Sequence, residues 1–79
     1  MASDNPQWFY NASANPFSPT HEAVWTPYSS EDNRKIEQHF QNKTGKVELQ
    51  NHTIHFQERM QVHRSDFNRQ RPVKRVPNY

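Results

Sequence analysis

The chain has 79 residues, of which 30% are hydrophobic, so it can form one small domain with a thin core. Because it contains no cysteine, it can hold neither a disulfide framework nor a cysteine-ligated zinc ion. The net charge of +2 is uneven, since residues 59–79 carry six lysines and arginines against a single acid, Asp66. This basic end is either an attractant for phosphate groups or a solvated basic strand.

The sequence shows neither a membrane span nor a secretory signal. No window approaches the ~20 apolar residues of a membrane span, and no basic segment followed by an apolar run opens the chain. An intracellular location, nuclear or cytoplasmic, is therefore expected. The low hydropathy favours flexible ends at 1–6 and 77–79 around a single domain at 7–76, and it leaves disorder open for 11–22.

Two strands are predicted in the first part of the chain. Gln7–Asn11 contains Trp-Phe-Tyr, and Ala23–Tyr28 contains a second tryptophan. Aromatic residues of these types favour strands. Pro27 cannot donate to a sheet, so the second strand is expected at an edge or a bulge. The intervening segment, with Pro16 and Pro19, is typical of a long loop.

One helix is predicted at about Ser30–Asn42. A serine hydroxyl at Ser29 or Ser30 can accept a hydrogen bond from a free helical N–H, and acidic residues follow in the first turn. Ile36 and Phe40 are four residues apart and therefore share one face. Gly45 then acts as a terminator.

Four short strands are predicted after the helix, because the apolar residues then alternate with polar ones. The alternating pairs are Val47 with Leu49, Ile54 with Phe56, and Met60 with Val62; Gln70–Val76 is the last strand, and turns are expected at Asn51–His52 and Ser65–Asn68. Six strands and one amphipathic helix indicate an α+β fold, in which a curved antiparallel sheet packs on the helix. The candidate core aromatics are Trp8, Phe9, Tyr10, Trp25, Tyr28, Phe40 and Phe56.

No metal site is expected from the five histidines. His52 and His55 are three residues apart, so in a strand they point to opposite faces. His21 and His39 lack an acidic partner at a spacing suited to metal ligation. These side chains are therefore interpreted as structural or surface groups, and no cofactor is expected.

No catalytic residue is expected either. Ser29 and Ser30 lie where a helix cap is needed, and the single glycine excludes a phosphate-cradling loop. Glu31, Asp32 and Glu37 are interpreted as helix-surface carboxylates able to pair with Arg34 and Lys35. The chain is therefore predicted to be a binding module and not an enzyme.

Aromatic and basic residues form the strongest functional pattern. The aromatic members are Tyr10, Trp25 and Tyr28, and the polar members are Gln61, Arg64, Arg71, Lys74 and Arg75. A curved sheet can bring them together, with aromatic faces stacking on a base, a glutamine bonding to an adenine edge and cations pairing with phosphates. Periodicity alone favours the core for both Trp8 and Trp25.

A family resemblance covers about residues 7–76. The order of its motifs is Trp8-Phe9-Tyr10, Trp25-Thr26-Pro27-Tyr28, Ile36-Glu37 with Phe40, Ile54-His55-Phe56, Met60-Gln61 and Arg71-Pro72-Val73-Lys74-Arg75. This order resembles the WWE domain, which is named for two tryptophans and a glutamate, matched here by Trp8, Trp25 and Glu37. The resemblance implies a curved half-barrel of strands around one helix.

The resemblance also implies a ligand and residues that contact it. WWE domains occur in ubiquitin ligases, poly(ADP-ribose) polymerases and phospholipase-like proteins, and several bind iso-ADP-ribose or terminal ADP-ribose. By resemblance, Tyr10 lines the adenine end of the pocket, Gln61 bonds to adenine and Arg71 meets a phosphate. The remaining implied binding residues are Trp25 and Tyr28 as wall, His52 where well-known binders carry tyrosine, and the weaker candidate Lys74; Glu37 is expected to be structural.

Three functions remain open from the sequence. The first is recognition of poly(ADP-ribose) or ADP-ribose-modified proteins through this aromatic, glutamine and arginine pocket. The second is protein–protein interaction within a ubiquitination or ADP-ribosylation protein, and the third is nonspecific RNA or DNA binding by the basic end. A monomer with no membrane contact and no specific DNA partner is expected, and any catalysis would belong to a separate domain.

Overall fold

The computed structural model describes residues 6–77, which form one helix and six antiparallel strands in one open, curved sheet. The elements are β1 Gln7–Asn11, β2 Trp25–Pro27, α1 Ser30–Gln41, β3 Lys46–Glu48, β4 His52–His55, β5 Met60–His63 and β6 Asp66–Val76. The α+β half-barrel prediction is confirmed. The flexible ends predicted at 1–6 and 77–79 lie outside the described residues except for Pro6 and Pro77, and they stay a prediction.

The sheet has the order β2-β1-β6-β5-β4-β3, with the longest strand, β6, near its centre. β6 pairs with β1 from Gln7↔Val76 to Tyr10↔Val73, and with β5 through Gln61↔Arg71. The register shifts between Val62 and His63, and irregularities of this kind increase the local twist of a sheet. β2 lies at one edge, where Pro27 needs no donor to a further strand, as predicted.

The helix begins at the predicted serine cap. The Ser29 hydroxyl accepts a hydrogen bond from the Asp32 N–H at 3.2 Å, which satisfies one of the free donors of the first turn. The helix ends at Gln41, one residue before the predicted end, and Asn42 is its C-cap. Gly45 follows with a φ of +89°, a conformation that favours glycine.

The core lies between the helix and the concave face of the sheet. Trp8, Ile36, Val47 and Ile54 are its largest fully buried side chains. The Trp8 ring meets the rings of Phe40 and Phe56 at centroid distances of 5.3 and 5.5 Å, in tilted or edge-on contacts. Such contacts add about 0.5–1.5 kcal/mol beyond area burial.

Two predicted core aromatics lie elsewhere. Phe9 and Trp25 are only half-buried, so the core prediction is right for Trp8 and wrong for Trp25. The reason is strand alternation: Trp8 and Tyr10 point inward, so Phe9 points to the convex face, and Trp25 shares that face. The hydrophobic pattern of the three-residue β2 is too short to have revealed this.

Glu37 links the helix to β1 and β6. Its carboxylate accepts hydrogen bonds from Trp8 Nε1 and from Arg75 Nε and Nη2, each at 2.9 Å. Burial alone would raise the pKa of Glu37, but hydrogen bonds from Arg75, Gln41 and Trp8 lower that pKa to about 2. The predicted pairing of Glu37 with Arg34 or Lys35 is therefore wrong, whereas its structural role is evident.

Several strand bounds differ from the prediction. His52 opens β4 instead of forming a turn, and residues 66–68 belong to β6 instead of a turn. The turn before β6 is confined to Arg64 and Ser65, because His63 pairs directly with Asp66. Long-range pairing with β5 thus extends a strand whose polar composition is typical of a turn.

The segment between β1 and β2, residues 12–24, is called the long loop. The Asn11 side chain is buried, and its Oδ1 accepts hydrogen bonds from the N–H groups of Ser13 and Val24, both at 3.0 Å. Ala12 N–H also donates to the Val24 carbonyl at 2.8 Å. Both ends of the long loop are therefore held together, and the structure does not show the disorder left open for 11–22.

Within residues 6–77, no helix has the length and apolar character needed to cross a membrane.

Candidate functional site

A cleft of about 580 Å³ opens between the start of α1 and the inner face of β1, β4, β5 and β6. We call it the main cleft. Its lining residues are Tyr10, Pro27, Tyr28, Ser29, Glu31, Asp32, Leu49, Gln50, Asn51, His52, Gln61 and Arg71. Its volume lies within the range of about 300–1,000 Å³ that is typical of small-molecule sites.

Five of the seven binding residues predicted from the sequence line the main cleft. They are Tyr10, Tyr28, His52, Gln61 and Arg71, and they come from four strands and the segment before the helix. The sheet curvature brings them together although they are up to 61 positions apart in the sequence. Whether they bind a ligand stays a prediction.

The other two predicted residues, Trp25 and Lys74, do not line the main cleft. Lys74 Nζ lies 4.6 Å from the centroid of the Trp25 ring and 5.6 Å from that of Phe9. Since Val73 points into the core, its neighbour Lys74 points to the convex face. This cation–π contact joins β6 to β2 on the side of the sheet away from the main cleft.

A buried hydrogen bond determines which atom of the Gln61 side-chain amide faces Tyr28. Tyr28 donates its hydroxyl proton to Gln61 Oε1 at 2.6 Å. Burial raises the pKa of the Tyr28 phenol, with further contributions from Tyr10 and Asp32, so it remains a neutral donor. Gln61 Nε2 has no acceptor among residues 6–77, so it is available as a donor at the cleft.

Arg71 ties the main cleft to the long loop. Its Nη1 donates to the backbone carbonyls of Asn11 and Ser13 at 3.0 and 2.7 Å. Within the described residues no carboxylate pairs with Arg71, and its Nε and Nη2 make no hydrogen bond. These nitrogens can therefore donate to an anion while Nη1 holds the long loop. This anchoring could not be predicted from the sequence, since carbonyl acceptors are present at every residue.

Two histidines meet beside Arg71. His52 and His63 are cross-strand neighbours whose rings contact edge-on at 5.2 Å. Burial lowers the pKa of His52, electrostatic interaction with His63, Arg69 and Arg71 lowers it further, and Asp32 opposes them. The Ser65 N–H donates to His63 Nδ1 at 3.2 Å, so the proton of neutral His63 lies on Nε2.

The acidic and basic side chains lie at opposite ends of the main cleft. Glu31 and Asp32 line it at the start of α1, and His52 and Arg71 line it on β4 and β6. A ligand that carries hydrogen-bond donors at one end and negative charge at the other fits this distribution. Residues 6–77 contain no group of three or more histidine, aspartate or glutamate side chains placed to hold a metal ion.

The half-barrel and its cleft, with carboxylates at one end and basic groups at the other, define a small binding domain. The WWE domain family model matches residues 6–75, and the chain belongs to the WWE domain family. WWE domains are binding modules that recognise ADP-ribose or mediate protein interactions. Comparison with curated proteins and with solved structures gives no match.

Proposed function

We propose that the chain binds ADP-ribose units of poly(ADP-ribose), either iso-ADP-ribose or terminal ADP-ribose, in the main cleft. The observation that supports this most strongly is the convergence of a fixed Gln61 donor and the free nitrogens of Arg71 in one cleft. The Gln61 donor suits a ring nitrogen of adenine, and the Arg71 nitrogens suit a pyrophosphate.

The orientation of the ligand follows from the chemistry of the two ends. Tyr10 and Tyr28 have ring centroids 5.0 Å apart and offer an aromatic wall to adenine. The phosphates would lie at Arg71 and His52, away from the carboxylates. Glu31 and Asp32 would accept hydrogen bonds from ribose hydroxyls or from the adenine amino group.

Titration of the labelled protein with iso-ADP-ribose, ADP-ribose and poly(ADP-ribose), followed by chemical shifts, tests the proposal directly. We expect the largest shifts at residues of the main cleft, and we expect added salt at 150 mM to weaken binding without abolishing it, since only the phosphate contacts are screened. Absence of shifts at millimolar ligand would refute the proposal. Affinity that collapses with salt and follows RNA length instead would identify a nonspecific nucleic-acid binder.

Replacing Gln61 with alanine is expected to weaken ligand binding by about 1–3 kcal/mol, because the adenine donor is lost and the Tyr28 hydroxyl loses its acceptor. Calorimetric titration measures the effect. Gln57→Ala is the matched control, since Gln57 is exposed in the turn between β4 and β5. Equal affinities for the two variants would show that the base does not meet Gln61.

Binding is expected to tighten as the pH falls from about 7.5 to 5.5. Burial lowers the pKa of His52 in the free protein, and a bound pyrophosphate would raise that pKa and favour proton uptake. The stability of the free protein has the opposite pH dependence. The lowered pKa of His52 contributes folding stability above its unfolded value of about 6.5, and this stability is lost as the pH falls through the folded pKa.

The pH effect is measured as the dissociation constant across this range for the wild type and His52→Gln. The charged groups that act on His52 are His63, Arg69, Arg71 and Asp32, and all are retained in this variant. We expect a flatter pH profile for His52→Gln and an unchanged profile for His55→Gln. A wild-type profile that is already flat would exclude His52 as a phosphate contact.

A second candidate function, protein–protein interaction, is favoured by an apolar hollow on the convex face. Phe67 is 74% exposed there and lines a cavity of about 340 Å³ with Met60 and Val62. A partner retained after treatment with poly(ADP-ribose) glycohydrolase, and lost with Phe67→Ser, would support this function. The inferred setting in either case is a nuclear or cytoplasmic ubiquitination or ADP-ribosylation protein whose catalysis lies in a separate domain.

A further inference from the structure

A smaller cavity adjoins the main cleft beneath the long loop. Its volume is about 230 Å³, and we call it the loop cavity. The residues that line it outside the main cleft are Pro16, Phe17, His63, Asn68, Arg69 and Gln70. His52, Gln61 and Arg71 line both cavities, so the two are adjacent.

The loop cavity is positively charged. Neither Arg69 nor Arg71 has a carboxylate partner among residues 6–77, and His52 and His63 lie beside them. The acids of the main cleft, Glu31 and Asp32, do not line the loop cavity. Unpaired guanidinium groups with adjacent imidazoles form a site that favours phosphate.

The long loop adds an aromatic ring to this basic site. Phe17 is 58% exposed although it lines the cavity, so one part of its ring remains in contact with water. The loop backbone before it is held by the Arg71 hydrogen bonds to Asn11 and Ser13, and by Asn11 Nδ2, which donates to the Pro16 carbonyl at 3.4 Å. Aromatic rings beside basic groups serve as stacking platforms for bases.

The size of the loop cavity limits what it can hold. It is smaller than the ~300 Å³ lower end of small-molecule sites, so it fits a fragment such as one base with one phosphate and not a whole ADP-ribose unit. We propose that the loop cavity is a second subsite, which takes a phosphate and base of the neighbouring unit when the main cleft holds one ADP-ribose unit. This inference rests on the proposed function, and it makes two consecutive units the preferred ligand.

Comparing a one-unit with a two-unit ligand tests the second subsite. The probes are iso-ADP-ribose and a purified linear ADP-ribose dimer, titrated into the wild type, Arg69→Ala and Arg34→Ala. We expect the wild type to bind the dimer about tenfold tighter than iso-ADP-ribose, and because the dimer contains a single iso-ADP-ribose unit, no statistical factor contributes to this preference. Arg69→Ala should remove this preference and leave the affinity for iso-ADP-ribose unchanged.

The control variant removes an equivalent charge elsewhere. Arg34 is exposed on the helix and lines neither cavity, so Arg34→Ala should bind both probes as the wild type does. The salt dependence provides a second readout: the slope of log affinity against log salt for the dimer should be shallower by about 1 in Arg69→Ala. Thermal melting confirms that both variants remain folded.

The outcomes separate this inference from the proposed function. If iso-ADP-ribose binds but the dimer binds no tighter, the second subsite is refuted and the proposed function stands. Equal weakening of both probes by Arg69→Ala would also refute a separate subsite. If neither probe binds the wild type, the proposed function fails and the second subsite fails with it.

Substitution of Phe17 distinguishes base stacking from charge attraction alone. Phe17→Ala should weaken dimer binding about fivefold or more, because the base loses its platform, while binding of inorganic tripolyphosphate stays unchanged. A Phe17→Ala variant that binds the dimer as the wild type does would refute a base at the loop cavity.

Discussion

Glu37→Ala is expected to lower the free energy of unfolding by about 2–4 kcal/mol. The change leaves the Nε1–H of the fully buried Trp8 without its acceptor, and it removes both carboxylate oxygens from the Arg75 guanidinium. The side chains of Arg75 and Glu37 are only 12% and 17% exposed, so water replaces the lost partner poorly. Urea denaturation measures the loss.

A matched control separates this network from the charge of a carboxylate. Glu58 is exposed in the turn between β4 and β5, so Glu58→Ala should change stability by less than about 0.5 kcal/mol. Glu37→Gln should fall between the two, since an amide oxygen can still accept from Trp8 but does not neutralise Arg75. Equal stabilities for Glu37→Ala and Glu58→Ala would show that the network contributes nothing.

The same network predicts an acid dependence. The folded pKa of Glu37 is about 2, against an ordinary value of 4.5, so its contribution is complete above pH 4.5. It is lost as the pH falls from about 4.5 to 2, when the carboxylate takes up a proton and releases Arg75. Glu37→Gln should therefore lose less stability than the wild type over this interval, as followed by thermal melting.

Arg71→Ala is expected to have the largest effect on binding, a loss of about 2–3 kcal/mol for iso-ADP-ribose or ADP-ribose. The substitution removes the guanidinium nitrogens proposed to donate to phosphate, together with the hydrogen bonds to Asn11 and Ser13. Calorimetry against Arg34→Ala, which removes a charge remote from the cleft, measures the loss. Wild-type affinity in Arg71→Ala would refute the pocket assignment.

A second ligand separates the two roles of Arg71. Adenosine has no phosphate, so its weak binding, followed by chemical shifts, should survive Arg71→Ala if the variant fails only through phosphate contact. If adenosine binding also disappears, the long loop and the cleft wall depend on Arg71. Arg71→Lys should be intermediate for ADP-ribose, because an ammonium keeps the charge but cannot hold the loop and a phosphate with separate nitrogens.

Local chemistry made the helix and the first strand predictable. The Ser29 cap and the acidic first turn act within a few residues, and β1 was predicted with its observed bounds, Gln7–Asn11. The bounds of β2 and β6 depend on pairing with distant strands. Consequently residues 66–68, which have the composition of a turn, were not predicted as part of β6.

The candidate site was likewise predictable only in part. Alternation along a strand already weakened Lys74 as a candidate, and the structure places it with Trp25 on the convex face. The bonds of Glu37 to Trp8 and Arg75, and those of Arg71 to backbone carbonyls, were not predictable, because these partners lie 29 to 60 positions away. Aromatic and basic residue types therefore indicated the cleft, while the hydrogen bonds that orient it required the fold.

The pairing of Gln7 with Val76 has a consequence for the domain as a building block. These residues face each other across β1 and β6, so the backbone enters and leaves the domain about 4.5–5.5 Å apart. A domain with adjacent entry and exit points can be inserted into a surface loop of another protein without separating the two sides of that loop. The main cleft and the long loop would then project from the host as one unit.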